Sequence, residues 1–263
     1  MSSAPLYRYA CVAMVAVLAA TACTRAPFKG KDEDLGPILK GHTRPRTVEG
    51  RTYTAEPVEA SVGPHRFAFP ANLYYNQIAP FADGAVVLTV MWPDFDAPPP
   101  GDYPFRTPED GYRQVSVEFR YVGQARTAEY LAQHIGSGSA QSLAERVALA
   151  PRLGLTQYAV DRSRVTAEMR QVEPDWYLAR AGDGQMRTFI SCDPSEYLPD
   201  GLLMERRMLV RSNGDRVAMC RHSWVDVERG IAVEMHYARV MRVDWQRLEK
   251  AVRGVMGRYQ MER

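Results

Sequence analysis

Cys192, Cys220 and His222 are the side chains best equipped for chemistry in this sequence. Two thiols 28 residues apart can oxidise to a disulfide or, with His222 two positions beyond Cys220, supply part of a metal site. A structural zinc site needs four ligands, usually as two closely spaced pairs. No second Cys/His pair stands at that spacing, so the disulfide is the stronger reading. A loop of that length is worth roughly 3 to 4 kcal/mol in the chain-entropy model. His222 raises a second possibility. Arg216 to Val225 and Ile231 to Arg239 read as strands joined by Asp226 to Gly230. Pairing Val225 with Ile231 places Trp224 opposite Ala232, His222 opposite Glu234, and Cys220 opposite His236. A carboxylate beside an imidazole raises its proton affinity and can orient it for acid–base work. Cross-strand pairs of this kind more often join two strands by a charge-assisted contact.

No nucleophile accompanies them. Gly136-Ser137-Gly138-Ser139-Ala140 lacks the Gly-x-Ser-x-Gly elbow and a preceding strand. Phosphate-cradling Gly-Lys-Ser/Thr loops, His-Glu-x-x-His and calcium loops are also missing. The sequence therefore assigns no catalytic residue, no metal ligand and no cofactor, and predicts a binding protein, not an enzyme.

Cys23 offers a different chemistry. Arg8 is the only charge before an apolar run from Ala10 to Ala22. That run is shorter than the ~20 residues a membrane-spanning helix needs and has the size of a signal-peptide core. Ala19-Ala20-Thr21-Ala22 then leads directly into Cys23. Small residues followed by cysteine resemble the lipobox of bacterial lipoproteins, although Ala20 stands where leucine is usual. The resemblance implies cleavage after residue 22, acylation of the Cys23 thiol, and a stable membrane anchor through several chains. Thr24, in place of an aspartate, points to the outer membrane, facing the periplasm. Export to an oxidising compartment also favours pairing of the two cysteines left over.

The mature chain would run from 23 to 263, enough for one large domain or two small ones split near 150–170. Loss of Arg8 lowers the formal charge from +2 to +1. A near-neutral chain without a basic, aromatic-interleaved stripe is not a nucleic-acid binder.

The elements that must position these residues follow from pattern. Residues 23–63 are polar and interrupted by Pro27, Pro37, Pro45 and Pro57; they read as a tether that could order locally or dock as an extended strap, and 64–263 as the folded body. His65 to Phe69, Gly84 to Trp92 and Val115 to Tyr121 read as strands, and Thr127 to Ile135 as a helix. Leu143, Val147 and Leu149 suggest a second, loosely helical connection. Trp176 to Arg180 and Met186 to Cys192 read as strands about Gly182-Asp183-Gly184. Asp244 is placed as an N-cap of a closing helix that presents Trp245, Leu248, Val252 and Val255 or Met256 on one face. The class is α+β: a mostly antiparallel sheet with the C-terminal helix packed on it.

Between Asp94 and Asp110, five prolines restrict a segment carrying Phe95, Tyr103 and Phe105. Restricted aromatics lose little entropy on docking, which makes these three candidate partner-binding residues; the same rings could instead cap the protein's own sheet. Two longer stretches carry a family resemblance. One is Phe69-Pro70-Ala71-Asn72-Leu73-Tyr74-Tyr75, with the later Met91-Trp92-Pro93-Asp94-Phe95. The other is Ile190-Ser191-Cys192, then Cys220-Arg221-His222-Ser223-Trp224 and Asp244-Trp245. Together they resemble proteobacterial envelope lipoproteins found beside genes for type VI secretion effectors and contact-dependent toxins. That resemblance implies an immunity protein that binds a neighbour's toxin. A structural or assembly lipoprotein of the envelope, and less so an envelope hydrolase, stand as the other readings.

Overall fold

Val115 to Tyr121, the cleanest alternating stretch in the sequence, lies second from one edge of the main sheet. The computed structural model describes residues 44–102, 108–135, 142–212 and 216–262, all in one compact unit. Its strands are β1 (Arg46–Val48), β2 (Arg51–Tyr53), β3 (Pro57–Val62), β4 (His65–Pro70), β5 (Val86–Met91), β6 (Gln114–Tyr121), β7 (Arg146–Ala148), β8 (Thr156–Val160), β9 (Asp175–Arg180), β10 (Met186–Cys192), β11 (Leu202–Glu205), β12 (Met208–Arg211), β13 (Met219–Asp226) and β14 (Ile231–Ala238). Its helices are α1 (Pro108–Arg113), α2 (Thr127–His134), α3 (Ala167–Arg170) and α4 (Trp245–Tyr259).

Eight strands make one sheet in the order β5-β6-β14-β13-β10-β9-β8-β7, antiparallel at every pairing. Hairpins β1–β2, β3–β4 and β11–β12 form separate two-stranded ribbons. The expected α+β class holds, with the C-terminal helix on a mostly antiparallel sheet.

The period-two pattern decides what each face buries. Val117, Val233, Met235, Trp224, Ile190 and Tyr177 share the main core with Trp245, Leu248, Val252, Val255 and Met256 of α4. Burying such a side chain stabilises by about 1.5–3 kcal/mol, so α4 and the sheet depend on one another. Asp244 occupies the N-cap position as expected, but its side chain makes no capping hydrogen bond. On the opposite face α2 lays Leu131 over Val225 and Ala232, next to a cluster of Trp176, Leu178 and Phe189. Among the described residues no helix is long and apolar enough to cross a membrane.

Three sequence expectations change. The central hairpin pairs Asp226 with Ile231, one residue out from the expected register. The cause is Asp226 itself, whose carboxylate accepts the Arg229 backbone N–H at 3.2 Å and its guanidinium at 2.7 Å. Those bonds make the turn four residues long. Gly230 closes it at φ +63°, where a Cβ would sit 2.7 Å from the Gln124 backbone nitrogen. Since side chains alternate, the one-residue shift exchanges the faces of one strand relative to the other.

Second, residues 146–148 form strand β7, not a helix. Third, the stretch read as a tether contains β1, β2 and β3, so ordered structure begins by Arg46 instead of residue 64. Pro57 opens β3, where a missing N–H is tolerated, and Ala60 and Val62 alternate into the core. The β3–β4 turn depends on Gly63 at φ +59°, where any Cβ would meet the Tyr121 ring at 2.2 Å. Cys23 and the signal segment lie outside the described residues.

Candidate functional site

The one-residue shift in register decides the fate of the proposed acid–base pair. His222 faces α4, whereas Glu234 lies on the opposite face, across from Glu118 of β6. The two therefore do not meet. His222, wholly buried, has Nε2 3.1 Å from Glu249 Oε1 and Nδ1 3.0 Å from the Tyr237 hydroxyl. Burial pushes the Tyr237 phenol far above the usual tyrosine range; the Glu249 carboxylate can only accept, which in the neutral imidazole leaves Nδ1 to accept a hydrogen bond from the Tyr237 O–H. Nε2–H then donates to Glu249.

Glu249 gathers further donors. Thr188 Oγ1 donates to Oε1 at 2.7 Å, and Arg253 lies one helical turn on, 3.8 Å from Oε2. Arg253 also stacks 3.9 Å above the Trp224 ring and reaches Asp226 at 3.8 Å. The chain Tyr237–His222–Glu249–Thr188 thus ties three neighbouring strands to α4. Both imidazole nitrogens and the Thr188 hydroxyl are taken up inside the protein. Sequence reasoning missed Glu249, because a helix residue 27 positions downstream gives no local sign of which strand residue it will meet.

Above this network opens a cleft of about 680 Å³ between the first turns of α2 and α4 and the β9–β10 turn. Arg180, Arg187, Lys250 and Arg253 outnumber Asp183 and Glu249 along its lining. Such a lining suits an anionic side chain or loop. Among the described residues no three His, Cys, Asp or Glu side chains group as a metal set.

On the opposite face a second hollow holds Glu118, Arg120, Tyr130, His134, Arg221 and Glu234. Facing carboxylates are compensated there: Arg120 pairs with Glu118 at 3.0 Å and His236 with Glu234 at 3.0 Å. His134 stacks parallel on Phe189, with ring centroids 5.5 Å apart. Burial, followed by repulsion from Arg221 and partly offset by Glu234, lowers its pKa below the usual histidine value. A depressed histidine takes up a proton later in the folded than in the unfolded state, so its contribution is lost as pH falls below about 6.5. Melting temperature should therefore decline between pH 7 and 5 less steeply in His134→Phe than in the parent, as thermal scans across that range would record; equal slopes would contradict it.

The remaining predicted residues separate clearly. Cys192 and Cys220 stand directly opposite on β10 and β13 and form a disulfide, both buried in the α4-side core. Phe95 is 3% exposed and cannot serve as a docking anchor. It adopts φ +60° after the Trp92-Pro93 step, turning its ring edge-on to Trp92 beneath the Arg247 guanidinium. Tyr103 and Phe105 lie outside the described residues.

No protein-family model matches the chain, and no curated protein sequence does. Among solved structures it is similar to Smlt3025, an immunity protein of the Stenotrophomonas maltophilia type IV secretion system. The two are 32% identical, with a TM-score of 0.72, over 84% of this chain and the whole of Smlt3025. The chain belongs to the Smlt3025 family. The Smlt3025 match agrees with the immunity-type resemblance read from the sequence, but Smlt3025 comes from a type IV system, whereas the sequence resemblance named type VI loci.

Proposed function

We propose that this chain is an immunity protein that binds and neutralises a toxin, held at the outer membrane by a lipid on Cys23 and facing the periplasm. The observation that carries the reading is the match to the immunity protein Smlt3025 along that protein's entire length at 32% identity. The inward-turned polar network agrees with a role in binding, since His222, Glu249 and Thr188 are engaged with one another and Tyr237. The delivery route that best suits the reading is a type IV secretion system. The lipid anchor rests on the charge, apolar run and small residues preceding Cys23.

The test is protection. The protein encoded beside this gene, as the candidate toxin, is directed to the periplasm of a sensitive host, with and without the chain. Survival should rise by several orders of magnitude when the chain is present, and the two purified proteins should form a stable complex. Absence of both rescue and complex overturns the reading. Cys23→Ser should abolish fatty-acid labelling; persistent labelling would remove the anchor from the proposal and leave binding intact.

A further inference from the structure

The β11–β12 hairpin exposes what a folded chain ordinarily hides. Its strands pair Leu203 with Val210 and Glu205 with Met208, so these four side chains share one face. Leu203, Met208 and Val210 are 53%, 50% and 41% exposed, a contiguous apolar strip on an otherwise small ribbon. The other face is anchored: Met204 and Leu209 pack against the main core, and Arg211 lies over the Tyr112 ring and bonds its hydroxyl.

The turn is the stranger feature. Arg206 and Arg207 occupy its two central positions at φ +48° and +70°. Two-residue turns with positive φ at both positions favour Asn-Gly, because a side chain there crowds the backbone. Two consecutive arginines in that conformation are strained, and such strain persists where the surroundings hold it in place. Here the Trp92 indole N–H donates to the Arg207 carbonyl at 2.7 Å and fixes the tip. Among the described residues neither Arg206 nor Arg207 pairs with a carboxylate, and Glu205 is the only acid of the hairpin from Leu202 to Arg211. The tip therefore presents two guanidiniums outside any ion pair among the described residues, on a chain whose formal charge is only +2.

We infer that this hairpin is the element that enters the toxin, its apolar strip seating on an apolar floor and Arg206 and Arg207 meeting carboxylates at the rim. The inference rests on the immunity reading and adds the surface and the partner's chemistry. A ribbon whose backbone is already held loses little backbone entropy on docking, and arginine is among the residues that dominate interface energies.

The experiment uses the mature chain from Cys23, solubilised in detergent, with the purified toxin encoded beside its gene as probe. Arg206→Asn with Arg207→Gly gives the turn its preferred residues. That double variant should melt higher than the parent yet bind the toxin at least tenfold more weakly, and by less at high salt because the lost contribution is ionic. Leu203→Ser with Val210→Thr should weaken binding by a similar factor without lowering the melting temperature by more than a few degrees. A purely structural hairpin would move stability and binding in the same direction. If the parent binds and both variants bind equally well, the hairpin is not the contact surface and the immunity reading survives. If the parent itself does not bind, both fall together.

Discussion

Replacing both Cys192 and Cys220 with alanine should lower stability by about 3–4 kcal/mol, the chain-entropy value for a 28-residue closure. For a chain of this size that corresponds to a fall of roughly ten degrees in melting temperature. The cross-link joins β10 to β13 in the middle of the sheet, between the two strands whose side chains Thr188 and His222 both reach Glu249. Its loss therefore loosens the α4 attachment along with the strand pair. Both sulfurs are almost fully buried, so mild reductant should leave the native protein intact and attack only after opening. Thermal scans of the double variant, and of the parent with and without reductant, check this. A double variant that melts within two degrees of the parent would contradict it.

Trp224→Ala should cost about 3–5 kcal/mol, the range for removing a large buried aromatic. Trp224 is wholly buried on the α4 face, and the Arg253 guanidinium lies 3.9 Å above its ring. Truncation opens a cavity between β13 and α4. It also takes the aromatic face away from Arg253, a cation–π contact worth about 0.5–2 kcal/mol. Trp224→Phe supplies the control. The indole N–H has no hydrogen-bond partner among the described residues, so phenylalanine forfeits volume but no polar contact and should lose well under half as much. Denaturant titration of the two variants separates the cases; equal losses would mean that the indole edge matters in a way these contacts do not explain.

How far the sequence revealed this molecule depended on the range of the interaction involved. β4, β6, β13, β14, α2 and α4 announced themselves through alternation, a turn or helical spacing, β5 through its β-branched residues, and β9 and β10 through the glycine turn between them. The pairing of Cys192 with Cys220 was legible once the other cysteines had been assigned elsewhere. The central register was missed by one residue because Asp226, a residue that favours turns, is held in the strand by its bonds to Arg229. β1 to β3 were hidden by prolines in a polar stretch, where two inward residues, Ala60 and Val62, are too few to show a period. The contact of Glu249 with His222 and the inward turn of Phe95 are products of tertiary packing, with no local signal to betray them. The β11–β12 hairpin escaped because its turn carries Arg-Arg in place of the residues that mark such turns.

The strand order also bears on when the molecule can fold. β5 and β6, from the first half of the chain, have no inner neighbour until β14 arrives, and β14 is followed only by α4. The sheet is therefore joined in its middle by a strand that follows the other seven along the chain, and the helix that seals the core comes later still. A chain made only as far as β13 holds two separate part-sheets, β5–β6 and β13-β10-β9-β8-β7, without the strand that joins them. Until β14 is added both part-sheets expose strand edges, and such edges favour aggregation, so the delay before that strand arrives is itself a hazard.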